Sequence, residues 1–298
     1  MNNKYKGSEI NEAIILKSFN LNDNEINDNE KSLHWYKQIN KKNYRNLQND
    51  FENFRNNGLS GGLDDQHSNL WLKKNFDKIL SYVNYDLLKK VAEVQNIGNS
   101  KNIIKYENFF VDSNLLNEIS WLSSINEKTD IIKNAKIICE IGSGFGSLTS
   151  KIKKINQFSK YILIDLPESN ILSSFYLSKL FPKSVFLLNG INDINNQDLE
   201  DIDFIILNPN TNFNNLSVDL FINTRSMQEM NLKNIAKYFN LVQKNISNNG
   251  YLININAYSK STVGETVNLS EYNYDKNWNV IISDPTYLQD HIHLLVTK

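Results

Sequence analysis

Ile137-Ile138-Cys139-Glu140-Ile141-Gly142-Ser143-Gly144-Phe145-Gly146-Ser147-Leu148 runs from an apolar segment through three glycines into helical periodicity. Glycine serves where a chain turns sharply or where a ligand lies against bare main chain. A helix start then offers unpaired amides. The next apolar run, 161–165, ends in Asp165, whose carboxylate can accept from both hydroxyls of a ribose. Strand, glycine loop, helix, strand and acid together read as a nucleotide-cofactor unit. Outward from it, apolar runs at 204–207, 220–222 and 251–255 alternate with helical stripes at 148–155, 167–180 and 226–246. Such alternation predicts right-handed crossovers and an α/β fold, its mostly parallel sheet covered on both faces. Runs at 280–282 and 293–296 are joined by Ser283-Asp284-Pro285-Thr286 with no room for a helix. They predict one antiparallel last strand. A further apolar run, 185–188, has no assigned place.

The glycine spacing selects among cofactors. Nicotinamide and flavin fingerprints read Gly-x-Gly-x-x-Gly. Here the third glycine comes one residue early and Ser147 stands in its place. Glu140 lies two residues before the first glycine. A pyrophosphate gains nothing from a carboxylate there, whereas a cationic amino-acid group does, so the pattern points to S-adenosylmethionine. A nicotinamide cofactor and a tight turn with no ligand are the alternatives.

Composition narrows the partners. Across 298 residues, 32 Lys plus Arg meet 33 Asp plus Glu, for a net charge of -1. That excludes a chain-wide electrostatic grip on nucleic acid. The single cysteine, Cys139, rules out an internal disulfide and a thiolate zinc cluster, and reads as a buried strand residue. No basic leader precedes an apolar run, and no apolar run reaches membrane-helix length. The expectation is a cytoplasmic protein with no membrane span, with room for a homo-oligomer. About one residue in six is asparagine, a compositional bias. Asn208, Asn210 and Asn223 stand apart from it, because they fall at strand ends over the cofactor unit.

Before Thr129 the periodicity is helical. Tyr44, Leu47, Phe51 and Phe54 form one stripe, Leu87, Leu88, Val91 and Val94 a second, and Leu115, Ile119, Leu122 and Ile125 a third. Turn-rich loops at 59–65 and 96–100 interrupt them. Aromatics including Trp35, Tyr36, Trp71, Phe76 and Tyr82 read mainly as core. The expected division is a helical cap over 1–130, selecting the acceptor, and a cofactor domain over 131–298.

With these residues in view, the chain resembles a class I methyltransferase of Rossmann-like fold, in which a reversed last strand enters an otherwise parallel sheet. A narrower resemblance is to the bacterial sugar O-methyltransferase family. It rests on Ile164-Asp165-Leu166-Pro167-Glu168, on Tyr176 to Pro182, on Asp219-Leu220-Phe221-Ile222-Asn223-Thr224-Arg225-Ser226-Met227-Gln228-Glu229-Met230, and on Gly61-Gly62-Leu63-Asp64-Asp65 and Asn96-Ile97-Gly98-Asn99. The resemblance implies methyl transfer from S-adenosylmethionine to a hydroxyl of a saccharide or glycoconjugate precursor. Another small hydroxylated metabolite, or an inactive binding protein of the same fold, are the rivals. It also implies that Glu140 orients the methionine amino group, and that Gly142, Ser143, Gly144 and Gly146 line the cofactor. Asp165 then holds the ribose, Leu166 lies against the adenine, and Asn208 and Asn223 border the site.

A sugar hydroxyl needs a general base. Glu229, His291 and His67 are the candidates, with Arg225, Gln228 and Tyr258 as acceptor-binding residues. Ordinary capping, Ser226 with Glu229 three residues on, competes for that segment. His34 and His293 read as surface or core residues. No histidine spacing suits a metal, and the Asp-rich stretch from Asp193 to Asp203 reads as a solvated helix, so no metal is expected.

Overall fold

The computed structural model describes residues 4–19, 51–56, 68–188, 193–261 and 264–298. His34, Trp35, Tyr36, Tyr44, Leu47, His67 and the loop Gly61-Gly62-Leu63-Asp64-Asp65 lie outside the described residues. Nine strands form one sheet: β1 Lys4–Lys6, β2 Ile137–Ile141, β3 Lys160–Ile164, β4 Val185–Leu188, β5 Phe204–Leu207, β6 Val218–Thr224, β7 Ile246–Ala257, β8 Val280–Pro285 and β9 Ile292–Thr297. Their order is β1-β4-β5-β3-β2-β6-β7-β9-β8. From β4 to β7 every pairing is parallel. β9 runs antiparallel between β7 and β8, so the reversed last strand is present.

The central strands read as nearly unbroken apolar runs because both faces are covered. On one face Ile138, Leu163 and Ile222 meet Leu148 and Ile152 of α5 (Ser147–Ile155) and Ile171 and Phe175 of α6 (Pro167–Leu180). On the other, Cys139, Ile162 and Phe221 meet Ile235, Phe239 and Val242 of α7 (Leu232–Asn245).

Several elements depart from the sequence expectation. β1 adds a second antiparallel strand at the far edge, paired with β4, so the first residues belong to the sheet. The unassigned run becomes β4; the chain passes over one sheet position to form it, and β5 then fills the gap beside β3. The helix expected over 226–246 is broken into a 3-10 turn, Met227–Glu229, and α7, whose N-cap Asn231 accepts from the Asn234 N–H at 2.9 Å. Asp193 to Asp203 is a short strand and a 3-10 turn, not a helix. The last hairpin turns at 286–291, later than expected, because Thr286 closes it through its N–H to Ile292 O and its hydroxyl to Gln289 O.

The helical part is α1 Glu12–Ser18, α2 Asn69–Leu80, α3 Tyr85–Val91 and α4 Ser113–Lys128, with a hairpin at 104–111. Val94 lies beyond α3 and is exposed. Helix α4 is buried on nearly all sides: Leu115, Leu116 and Ile119 pack with Leu72 and Phe76, whereas Trp121, Leu122 and Ile125 join the sheet core. Phe51 and Phe54 also enter that core, where Phe54 meets Phe145 of the glycine loop at 5.4 Å between ring centroids. Tyr82 stacks on Tyr287 of the last turn at 3.9 Å. The helical segments thus brace both the glycine loop and the last hairpin.

Candidate functional site

The glycine loop leaves β2 with all three glycines at positive φ: 73° at Gly142, 57° at Gly144 and 85° at Gly146. Each has a different neighbourhood. A Cβ on Gly142 would lie 1.9 Å from Ser226 Oγ, and one on Gly146 would lie 3.0 Å from Leu177. A Cβ on Gly144 would meet nothing within 4 Å, so bare main chain faces open space there. Gly146 is the N-cap of α5, and no side chain caps that helix.

Asp165, just past β3, closes on this wall. Its Oδ2 accepts the Gly144 N–H at 2.6 Å and its Oδ1 the Leu166 N–H at 2.7 Å. Burial pushes its pKa up to about 6, against the pull of those two amides. Asn208, at the end of β5, stands alongside: Asn170 Nδ2 donates to its Oδ1 at 3.0 Å and to Leu207 O at 2.9 Å. Asn210 Oδ1 accepts from Lys237 Nζ at 2.6 Å.

Glu140 is 3% exposed and faces α5, where Thr149 Oγ1 donates to its carboxylate. Burial pushes its pKa up to about 8. Its position suits action from beneath the loop. The Ser143 hydroxyl, in a residue 7% exposed, has no hydrogen-bond partner among the described residues. Open space at Gly144, an uncapped helix start, an orphaned Ser143 hydroxyl and an acid at the next strand end fit a nucleoside ligand bearing an amino-acid tail.

Two residues expected as ligands are engaged inside the protein. Asn223 is fully buried: its Nδ2 donates to Ile141 O at 2.7 Å and Ser226 Oγ at 2.8 Å, and its Oδ1 accepts from Met227 N–H and Asn256. Gln228 is 1% exposed and its Oε1 accepts the Ala257 N–H at 2.7 Å. Both amides tie β6 and β7 to the turn that follows β6. The capping box is also absent, since no Ser226 side-chain cap forms and its hydroxyl packs under Gly142.

The residues expected to serve the acceptor are spread along the carboxyl ends of the strands. Glu229 Oε1 lies 3.4 Å from Lys260 Nζ. Arg225 reaches Gln289 Oε1 at 3.5 Å. His291 sits on the exposed hairpin turn, 3.9 Å from Asp290, rather than over the sheet. His293, read from sequence as background, is the buried histidine of this edge. Its Nδ1 meets the half-exposed Tyr258 hydroxyl at 2.8 Å and its Nε2 meets Ser283 Oγ at 3.2 Å. Burial lowers its pKa, against the raising effect of Asp284. The available signal was strand register: His293 pairs with Asn256, two residues before Tyr258.

Behind the loop, Glu118 of α4 is joined to α5 by Lys151 at 2.7 Å and Ser147 at 3.0 Å. Burial pushes Glu118 up to about 7, opposed by Lys151. Arg55 closes on Asp112 at 2.5 Å beside them. Among the described residues no group of three or more His, Cys, Asp or Glu is placed to hold a metal, and no helix is long and apolar enough to cross a membrane.

No protein-family model matches the sequence, and no curated protein does. Among solved structures the chain is similar to the mitomycin 7-O-methyltransferase MmcR, at 12% identity over 61% of this chain and 52% of that one, TM-score 0.43. It is also similar to a SAM-dependent methyltransferase from Aquifex aeolicus, at 15% identity over 62% and 93%, TM-score 0.40. A third is human N-acetylserotonin methyltransferase, at 13% identity over 62% and 52%, TM-score 0.38. The match spans about half the length of MmcR and of the human enzyme.

Proposed function

We propose that the chain is an S-adenosylmethionine-dependent O-methyltransferase acting on a hydroxyl of a saccharide or glycoconjugate precursor. One observation carries the reading: the open main-chain wall at Gly144, bordered by Asp165 at the next strand end and backed by Glu140. The cofactor supplies a methyl carbon on a sulfonium, already a good leaving group. In this reading Asp165 exchanges its amide contacts for the ribose hydroxyls, Leu166 and Asn208 flank the base, and Ser143 takes a polar atom of the tail. Glu140 lies beneath the loop and gives up its proton as the cationic amino group of the tail arrives. Glu229, on the turn after β6, takes the acceptor proton. The Tyr258–His293 pair is the nearest alternative base, because burial keeps that imidazole neutral. Positioning and exclusion of water supply the remaining rate.

Calorimetry tests the reading. S-adenosylmethionine should bind the wild type, and D165A should weaken it by about 1–3 kcal/mol, the cost of an unpaired ribose. No binding to the wild type at high protein concentration overturns the enzyme reading in favour of a non-catalytic protein of this fold.

A further inference from the structure

Arg225 has an unusual combination of properties. Its φ of 59° lies in the left-handed region, where a side chain costs about 1–2 kcal/mol. The Arg225 N–H holds the bend through Ile255 O at 2.7 Å. A glycine or asparagine would relieve that strain, and asparagine is abundant in this chain. Arginine is not: it stands at Arg45, Arg55 and Arg225, and lysine supplies every other basic side chain. A bare positive charge could come from lysine, whereas a planar fork of donors could not.

That fork is under-used. Arg55, the other described arginine, is closed on Asp112 at 2.5 Å. Among the described residues, the guanidinium of Arg225 makes only the long contact of 3.5 Å to Gln289, itself buried in the last turn. Among the described residues, neither nearby acid comes within ion-pair distance of it. Glu229 Oε1 sits 3.4 Å from Lys260, and the fully exposed Asp290 lies 3.9 Å from His291. Burial holds the Arg225 pKa below its ordinary value, although Glu229 raises it. Such a desolvated cation gains most from an anion that takes two of its donors. Its place follows from the register: β6 pairs with β2 as Asn223 with Ile141, so Arg225 stands beside the glycine loop at the carboxyl ends of the strands.

We propose that Arg225 receives a carboxylate or phosphate group of the acceptor, so that the substrate is an acidic or phosphorylated saccharide and not a neutral one. This rests on the methyltransferase reading above. The cofactor's own carboxylate has the same chemistry, so the test must separate the two sources.

Wild type and R225Q are titrated calorimetrically with S-adenosylhomocysteine, and then, with and without it, with D-glucuronate, glucose 6-phosphate and D-glucose. At least one anionic sugar should bind the wild type about tenfold or more tighter than glucose. R225Q should erase that preference while keeping its affinity for S-adenosylhomocysteine, and R225K should retain only part of the preference. Equal binding of all three sugars, no sugar binding, or a preference that survives R225Q overturns the proposal. A loss of S-adenosylhomocysteine affinity confined to R225Q assigns the arginine to the cofactor and also overturns it. Failure of the wild type to bind S-adenosylhomocysteine counts against the methyltransferase reading, while the titrations without it still judge Arg225. If R225Q does not fold, as judged by its melting curve, R225K decides: full retention of the preference overturns the proposal.

Discussion

Three glycines in one loop serve three physical purposes. All need positive φ, but Gly142 also makes room for Ser226, Gly146 makes room for Leu177 and starts α5, and only Gly144 faces open space. The variants should therefore separate. G144A should cost about 1–2 kcal/mol, the left-handed penalty alone, and should abolish cofactor binding. G142A should be destabilised well beyond that, because its Cβ would lie 1.9 Å from Ser226 Oγ. Urea unfolding with parallel calorimetry reads both, and equal stability of the two variants would refute the division. Asn223 and Gln228 carry a related lesson. An amide at a strand end looks alike in sequence whether it faces a ligand or its own backbone. Here both are spent inside the protein, on Ile141 O and the Ala257 N–H.

At the scale of elements, the glycine loop is held from behind. Helix α5 begins at the loop, and Lys151, one turn in, meets Glu118 of α4 at 2.7 Å with both side chains buried. Removing one member of a buried pair strands the other charge, at about 3–5 kcal/mol, whereas replacing both costs far less. K151M should accordingly unfold at markedly lower urea, and E118Q combined with K151M should recover much of the loss. If the double variant is no better than K151M alone, the pair is not the joint between these helices. The sheet order was partly legible in sequence. Short apolar runs and the helix-free last connection revealed the parallel core and the reversed β9. The places of β1 and β4 were not legible, since a three- or four-residue run carries no address for its partner.

For the whole molecule, two buried acids without a cationic partner among the described residues set a pH dependence. Burial raises Asp165 from 3.8 to about 6 and Glu140 from 4.5 to about 8. Between about pH 4 and 8 the folded chain therefore holds protons that the unfolded chain has released. Stability contributed by these groups is full below their unfolded values and is lost as pH rises through the folded ones. The ligand-free protein should need less urea to unfold at pH 8 than at pH 5.5. Cofactor binding should show the opposite trend. Asp165 must be ionised to accept from a ribose, so affinity should rise as pH climbs through about 6, and calorimetry at pH 5.5 and 7.5 would show it. By itself the sequence determined the α/β alternation, the glycine loop and its neighbouring acids, because these are written in contiguous residues whose period and spacing fix local backbone. Only the tertiary structure decided which side chains are engaged by the protein's own backbone and which stay open. Their partners lie far along the chain: Asn223 and Ile141 are 82 positions apart, and Tyr258 and His293 are 35 apart. Burial and pairing, which set direction and charge, exist only once those segments meet.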